Sequence, residues 1–185
     1  PLIPGFVAQV RDEAGREVPA GQEGTLWLQG PSVTPGYFRS PELTARRIKD
    51  SWFNTGDVVR IDDEGYITVV SRVTDIIIVG GFNVYPQEVE GMLQEHPAVR
   101  EAAVVGVAHP SLGEVVKAYV VPQPGTRAVP RDLVTFCRER LSHYKVPRMV
   151  EFVEELPKSS IGKVLNRELK KRAQEETGCS DSTSS

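Results

Sequence analysis

Up to residue 70 the chain alternates short apolar runs with turn-forming residues. Phe6–Val10 alternates in polarity and Asp12-Glu-Ala-Gly15 then turns the chain, the pattern of a β-hairpin. Gly24–Gly30 is a second strand bounded by glycines, and Val58–Ile61 and Tyr66–Val70 flank Asp62-Asp-Glu-Gly65, which has the composition of a strand-to-strand turn. Between them Ser40–Ile48 predicts a short helix, with Ser40 as its cap and Pro41 at its first position. The whole reads as a β meander with one helix.

From residue 76 the texture changes. Ile76–Val79 carries only β-branched residues and runs into Gly80-Gly81. Pro86–Glu95 places apolar residues at 89, 92 and 93, a helical spacing opened by proline. Val99–Val107 and Val115–Val121 read as strands, Arg131–Leu141 as a second amphipathic helix, and Met149–Val153 as a last strand. A turn rich in small residues and a short basic helix follow, through Arg172. The order β-α-β-β-α-β predicts an α+β fold, a small central sheet flanked by helices. The divisions expected are a β-rich segment at 1–70, a boundary at 71–75, the α+β unit at 76–172 and a polar, serine-rich, disordered tail at 173–185.

Composition narrows the function classes. The 185 residues suffice for one ordinary domain or two small ones, and a net charge of −3 offers no basic field for nucleic acid. No apolar run approaches the length of a membrane span. Cys137 falls in an apolar helical pattern and Cys179 in the polar tail, which argues against a structural disulfide and for a reducing, cytoplasmic setting. His96, His109 and His143 lack metal-ligand spacing, Gly162-Lys163 lacks the glycines and hydroxyl of a Walker loop, and no serine sits in a nucleophile elbow.

Other residues point to an anionic, nucleotide-like ligand. Lys163 follows Gly162 at the tip of a turn, where an ammonium can reach an anion; it also reads as a solvated cation opening a helix. Asp57, after Thr55-Gly56, can accept hydrogen bonds from the two hydroxyls of a ribose, or cap its own turn. Arg72 can donate to the same ribose or to a phosphate, or make a surface ion pair. Gly80-Gly81 admits close approach of an extended ligand, or forms a β-bulge. Tyr144 and the cations Lys145 and Arg148 suit an adenine stacked on a ring with its phosphates held, or a plain helix-to-strand connection.

Taken in order, Pro35-Gly-Tyr37, Pro41-Glu-Leu-Thr44, Trp52…Thr55-Gly-Asp57, Arg72…Asp75, Gly80–Glu90, Lys117–Val121, Tyr144-Lys-Val-Pro147 and Leu156-Pro-Lys…Gly162-Lys163 resemble the AMP-forming acyl-CoA synthetases, most closely the long- and medium-chain fatty-acid–CoA ligases. The resemblance runs from Pro1 to about Arg172 and implies a fragment of a longer enzyme. Residues 1–70 would be the β-barrel-like end of a large N-terminal domain, 71–75 a hinge centred on Thr74, and 76–172 a mobile lid. It implies a carboxylic acid, ATP and CoA as substrates: acyl-adenylate and pyrophosphate form first, the lid then rotates, and the CoA thiol attacks. Asp57 and Arg72 would hold the ribose, Lys163 would act in adenylation only, Gly80-Gly81 would line the pantetheine tunnel, and Tyr144, Lys145 and Arg148 would meet the CoA nucleotide. Mg²⁺, the triphosphate and the acyl pocket would belong to the N-terminal domain, so no metal ligand is expected here and the stretch alone should be inactive. Nucleic-acid partners are not expected; peripheral membrane contact is compatible with a fatty-acid substrate. Three positions depart from the family pattern, Ser71, Thr74 and Asn166, the first two at the hinge. An aryl- or other small-acid ligase, a carrier-protein loading enzyme, and a stand-alone nucleotide- or CoA-binding module are the alternatives.

Overall fold

The structure, a computed structural model, describes residues 3–180. Its backbone divides into two compact units, Pro1–Thr74 and Asp75–Ser185.

The first unit is an antiparallel sheet of β1 (Val7–Arg11), β2 (Glu23–Gln29), β3 (Ile48–Lys49), β4 (Trp52–Ile61) and β5 (Ile67–Arg72). β4 lies at its centre: β2 pairs along one edge, while β3 and β5 share the other. Among the described residues β1 pairs with β2 alone of the strands. Helix α1 (Pro41–Arg47) starts at proline as expected, but Ser40 does not cap it with its side chain. The carbonyl of Ser40 instead accepts from the Thr44 amide at 3.0 Å and from the Thr44 hydroxyl at 2.9 Å. The core is small, Val10, Leu26 and Val59 with a half-buried apolar rim.

In the second unit β9 (Gly113–Pro122) is the axis. β8 (Val99–His109) runs antiparallel along one edge and β10 (Met149–Phe152) parallel along the other. β6 (Ile77–Val79) joins β9 at Gly113 and carries β7 (Phe82–Val84) as a hairpin partner. Alternation sorts the two faces. Val104, Val116, Ala118 and Val120 face α2 (Pro86–Gln94) and α3 (Pro130–Arg138), in a cluster with Val89, Leu93, Leu133 and Cys137. Val105, Val115, Tyr119 and Val121 face α4 (Asn166–Ser180) through Leu169 and Ala173. Both faces are covered, which is why β8 and β9 read as nearly continuous apolar runs.

Two sequence expectations fail here. Gly80-Gly81 is not a bulge but the two-residue turn of the β6–β7 hairpin. Its φ values of +58° and +87° are the pair a type I′ turn demands. The tail expected to be disordered from residue 173 is helical through Ser180. Ala173, one helical turn past Leu169, extends the apolar stripe onto the sheet and is buried. Glu176 closes an ion pair with the buried ammonium of Lys117, which also meets Glu151 at 2.8 Å. Residues 181–185 lie outside the described residues.

Candidate functional site

The first candidate group is built by an irregularity in β4. Opposite Leu26 the strand carries extra residues, Thr55-Gly56-Asp57, with Gly56 at φ +77°. Asn54 Oδ1 accepts from the Gly56 amide at 2.9 Å, Thr55 Oγ1 accepts from the Asp57 amide at 3.0 Å, and the Thr55 hydroxyl donates to Leu26 O. These bonds leave the Asp57 carboxylate free of its own backbone. It faces Arg72 across the β4–β5 ladder, with Arg72 Nε 2.8 Å from Oδ1. Asp57 and Arg72 are thus brought together as acceptor and donor on one strand pair. Arg47, from the last turn of α1, lies over the same irregularity, 3.5 Å from Asn54 O. A side chain at 56 would meet its Nη1.

Lys163 sits on a hairpin turn whose construction recurs twice elsewhere. In Asp12–Arg16, Asp62–Tyr66 and Ser159–Lys163 the first residue exchanges backbone bonds with the fourth and fifth, and the fourth is a glycine with φ near +80°. This is a three-residue loop with a glycine bulge. The first side chain accepts from the fifth amide each time, at Asp12 Oδ1 (2.9 Å), Asp62 Oδ1 (2.8 Å) and Ser159 Oγ (3.2 Å). In the first turn Asp12 also pairs with the Arg16 guanidinium at 2.9 Å. A serine cannot do this, and Lys163 makes no ion pair among the described residues. The hairpin is closed by a bridge between Lys158 and Val164 and by the Leu165 amide donating to Pro157 O at 2.8 Å. The ammonium is therefore free and its backbone is fixed.

The third group surrounds a cavity of about 230 Å³, walled by Val79, Gly80, Phe82, Leu112, Val115, Val116, His143, Tyr144, Val146 and Arg148. Phe82 and Tyr144 stack with ring centroids 4.7 Å apart. Gly80 is pinned by its amide donating to Leu112 O at 2.8 Å, and Arg148 by its amide donating to Val116 O at 2.9 Å. Glu114 Oε2 accepts from the Ile78 amide at 2.9 Å and steadies β6 where its ladder with β9 is one pair long. A polar cleft of about 390 Å³ adjoins this cavity, sharing His143, Val146 and Arg148 with it and adding Val134, Arg138 and Pro147.

Of the residues expected at this third group, Gly80, Tyr144 and Arg148 line the cavity; Gly81 and Lys145 do not. Lys145 Nζ donates to both oxygens of Glu88 at 2.7 Å, tying the 143–145 turn to α2, so its ammonium is engaged within the chain. Thr74 lies in a single 3-10 turn, Val73–Asp75, and the division between the two units falls after it. Sequence reasoning missed Phe82, His143, Leu112 and Arg138. The alternation of Phe82-Asn-Val84 after two glycines was the available signal for β7 and hence for the aromatic stack. His143 was weighed only as a metal ligand. Among the described residues no three His, Cys, Asp or Glu side chains gather as a cation site, so no step is assigned here to the Mg²⁺ that the resemblance implies.

Comparison with known proteins relates this geometry to a family. Residues 88–163 match the AMP-binding enzyme C-terminal domain. The chain is 47% identical over 171 residues to a long-chain-fatty-acid–CoA ligase of Escherichia coli O6:H1, covering 92% of this chain and 30% of that protein. It is 45% identical over 172 residues to a feruloyl-CoA synthase of Amycolatopsis sp, covering 92% of this chain and 35% of that one. The crystal structure of ATP-bound MatB from Rhodopseudomonas palustris superposes with a TM-score of 0.89 at 39% identity, over 93% of this chain and 35% of that chain. The chain thus spans about a third of the length of the relatives it matches. Residues 88–163 carry the AMP-binding enzyme C-terminal domain, and the chain as a whole is similar to adenylate-forming acyl-CoA ligases over about a third of their length.

Proposed function

We propose that the chain is the nucleotide-facing and lid portion of an ATP-dependent acyl-CoA ligase, acting with the rest of that scaffold on a fatty acid. The carboxylate oxygen of the acid attacks the α-phosphorus of ATP, pyrophosphate leaves, and the CoA thiolate then displaces AMP from the acyl-adenylate. Asp57 accepts from the ribose hydroxyls and Arg72 steadies that carboxylate while donating to the nucleotide. Lys163 meets the charge that builds on the α-phosphate as the carboxylate attacks, electrostatic stabilisation delivered from a fixed hairpin. The Gly80–Tyr144 cavity takes the pantetheine arm and base of CoA, and Thr74 is the pivot that lets one lid serve both steps. Lys145 is left a structural role.

The single observation that carries this proposal is Lys163 itself, an ammonium with no ion pair among the described residues, on a hydrogen-bonded hairpin. Replacing the matched portion of the E. coli ligase with this chain should restore ATP-dependent thioester formation from a fatty acid. A fusion that folds but releases no pyrophosphate would overturn the proposal. An aryl acid is the second reading, favoured by the 45% identity to feruloyl-CoA synthase. Pyrophosphate release across fatty and aryl acids, by a protein carrying this chain with its own acid-binding portion, separates the two.

A further inference from the structure

Arg47 ends helix α1 and is anchored beside the irregularity in β4 that carries Asp57. The next two residues, Ile48 and Lys49, pair with Phe53 and Trp52 of β4, and the Ile48 amide donates to Thr44 O. Thr44 Oγ1 accepts from the Tyr37 amide at 2.9 Å, which ties the helix to the chain before it. From this base the half-buried guanidinium lies over Gly56: a Cβ at that position would stand 2.6 Å from Nη1 and 3.4 Å from Cζ and Nη2. Nη1 also donates to Asn54 O, a long contact at 3.5 Å. Arg47 makes no ion pair among the described residues, so its charge is not held by a carboxylate. Gly56, with no side chain and φ +77°, is the residue of the irregularity least restrained by its own chemistry. The guanidinium above it supplies that restraint. Arg47 holds Asn54 at its carbonyl, Asn54 Oδ1 holds the Gly56 amide at 2.9 Å, and Asp57 follows directly.

We propose that Arg47 is a positioning residue for the Asp57 carboxylate: it fills the space over Gly56 and holds Asn54 O, and so keeps the irregularity in the shape that aims Asp57 at the two hydroxyls of a ribose. The inference rests on the ribose role proposed above for Asp57. A carboxylate that accepts from two neighbouring hydroxyls at once loses affinity when its backbone wanders, because ordering it then costs free energy at binding. Arginine suits the task, since its guanidinium is flat enough to lie over a glycine backbone and carries donors that stay protonated at any working pH. Lysine would offer a donor to Asn54 O without the plane that covers Gly56. The role assigned to Arg47 involves no reacting atom, so its loss falls on the affinity for nucleotide and not on the attack at phosphorus.

The test compares ATP with 2′,3′-dideoxy-ATP, which lacks both ribose hydroxyls, as substrates for pyrophosphate release by the fused ligase that carries this chain. Arg47→Met should raise KM for ATP about tenfold, the scale of hydrogen bonds to a charged group, with kcat within about twofold and KM for the dideoxy nucleotide unchanged. Arg47→Lys should recover part of the loss, and it carries the same comparison if the methionine variant melts below the assay temperature. Arg46→Met, exposed in the same helical turn, should change neither KM. Asp57→Ala should erase the preference for ATP over the dideoxy nucleotide, and Arg47→Met should add nothing in that background. An Arg47→Met loss shared equally by the two nucleotides would mark a merely structural role and overturn the inference. An unchanged KM for ATP in Arg47→Met, with the Asp57→Ala effect intact, would overturn it and leave the ribose role standing. An Asp57→Ala loss equal for both nucleotides would overturn the ribose role and the inference with it.

Discussion

Ser159 distinguishes the hairpin that presents Lys163 from the chain's two other turns of the same build. Where those turns begin with Asp12 and Asp62, a carboxylate accepts the fifth amide, and Asp12 also holds the Arg16 side chain. Serine accepts the amide at 3.2 Å and leaves the Lys163 ammonium alone. Ser159→Asp should therefore keep the fold and reduce adenylation by about tenfold or more, because a new ion pair competes for the cation at the moment it is needed. Measured pyrophosphate release in the fused ligase checks this, and unchanged release would mean that Lys163 needs no such freedom. A second residue-scale expectation concerns Cys137, which is fully buried in the α2–α3 cluster. Burial pushes its thiol up to about 11, so the thiolate is scarce at neutral pH. Native protein at pH 8 should leave Cys137 unlabelled by iodoacetamide, and denatured protein should label it. The turn that carries Lys163 was legible from sequence because Gly162 and the small residues before it announce a turn within a few positions. Arg138, His143 and Arg148 were not legible as a group, since an α-helix, a 3-10 turn and a strand have to be assembled before they share a cleft.

Helix α4 shows what local sequence cannot report. Residues 173–176, Ala-Gln-Glu-Glu, carry a single apolar side chain, and nothing nearby says that the chain stays helical. The reason lies on β9. Burial works against the charge of Lys117, yet its hydrogen bonds to Glu151 and Glu176 hold its pKa well above the usual lysine value. Arg172 joins both carboxylates and stands beside the Tyr119 ring. The hydrogen bond from Lys117, foremost, holds the Glu176 carboxyl below its ordinary 4.5. A depressed carboxyl stabilises the fold above its unfolded value and loses that contribution as pH falls through the folded one. A raised lysine contributes fully below 10.5 and loses it only in strong alkali. The docking of α4 should thus be flat from about pH 5 to 10 and weaken as pH drops below 4.5, read as falling hydrogen-exchange protection of the α4 amides. Glu176→Gln should cost about 1 kcal/mol at pH 7, kept small because solvent screens a half-exposed pair, and should remove the part of the acid dependence below pH 4.5 that Glu176 supplies. A full acid dependence in that variant would place its origin outside this cluster. The β6–β7 hairpin carries the same lesson at shorter range. Gly80-Gly81 was visible as a conformational signal, but whether it served a bulge or a turn depended on Phe82–Val84 pairing back on β6.

Across the whole molecule the two units differ in how much they bury. The first holds three residues in its core cluster, whereas the second encloses fourteen on one face of its sheet and nine on the other, counted among the described residues. Burial of apolar surface is the main favourable term in folding, so the second unit should be the more stable. Amides of β8 and β9 should exchange more slowly than those of β2 and β4, and the reverse order would contradict this account of the core. The α+β layering of the second unit was readable from its periodicities, because both layers follow from 3.6- and 2-residue repeats. The sharing of one β4 edge by β3 and β5 was not, since strand partners are set by contacts that no local pattern encodes. What joins the units functionally is the proposed division of labour, with ribose contacts from β4 and β5 and a lysine delivered from the lid. The most direct measurement of that proposal is the two half-reactions of the fused ligase carrying Lys163→Ala. Pyrophosphate release from ATP and fatty acid should fall about 100-fold or more, a loss of about 2.7 kcal/mol in transition-state stabilisation, while thioester formation from supplied acyl-adenylate and CoA stays within about twofold of the parent. Equal slowing of both half-reactions, or no slowing of the first, would contradict it.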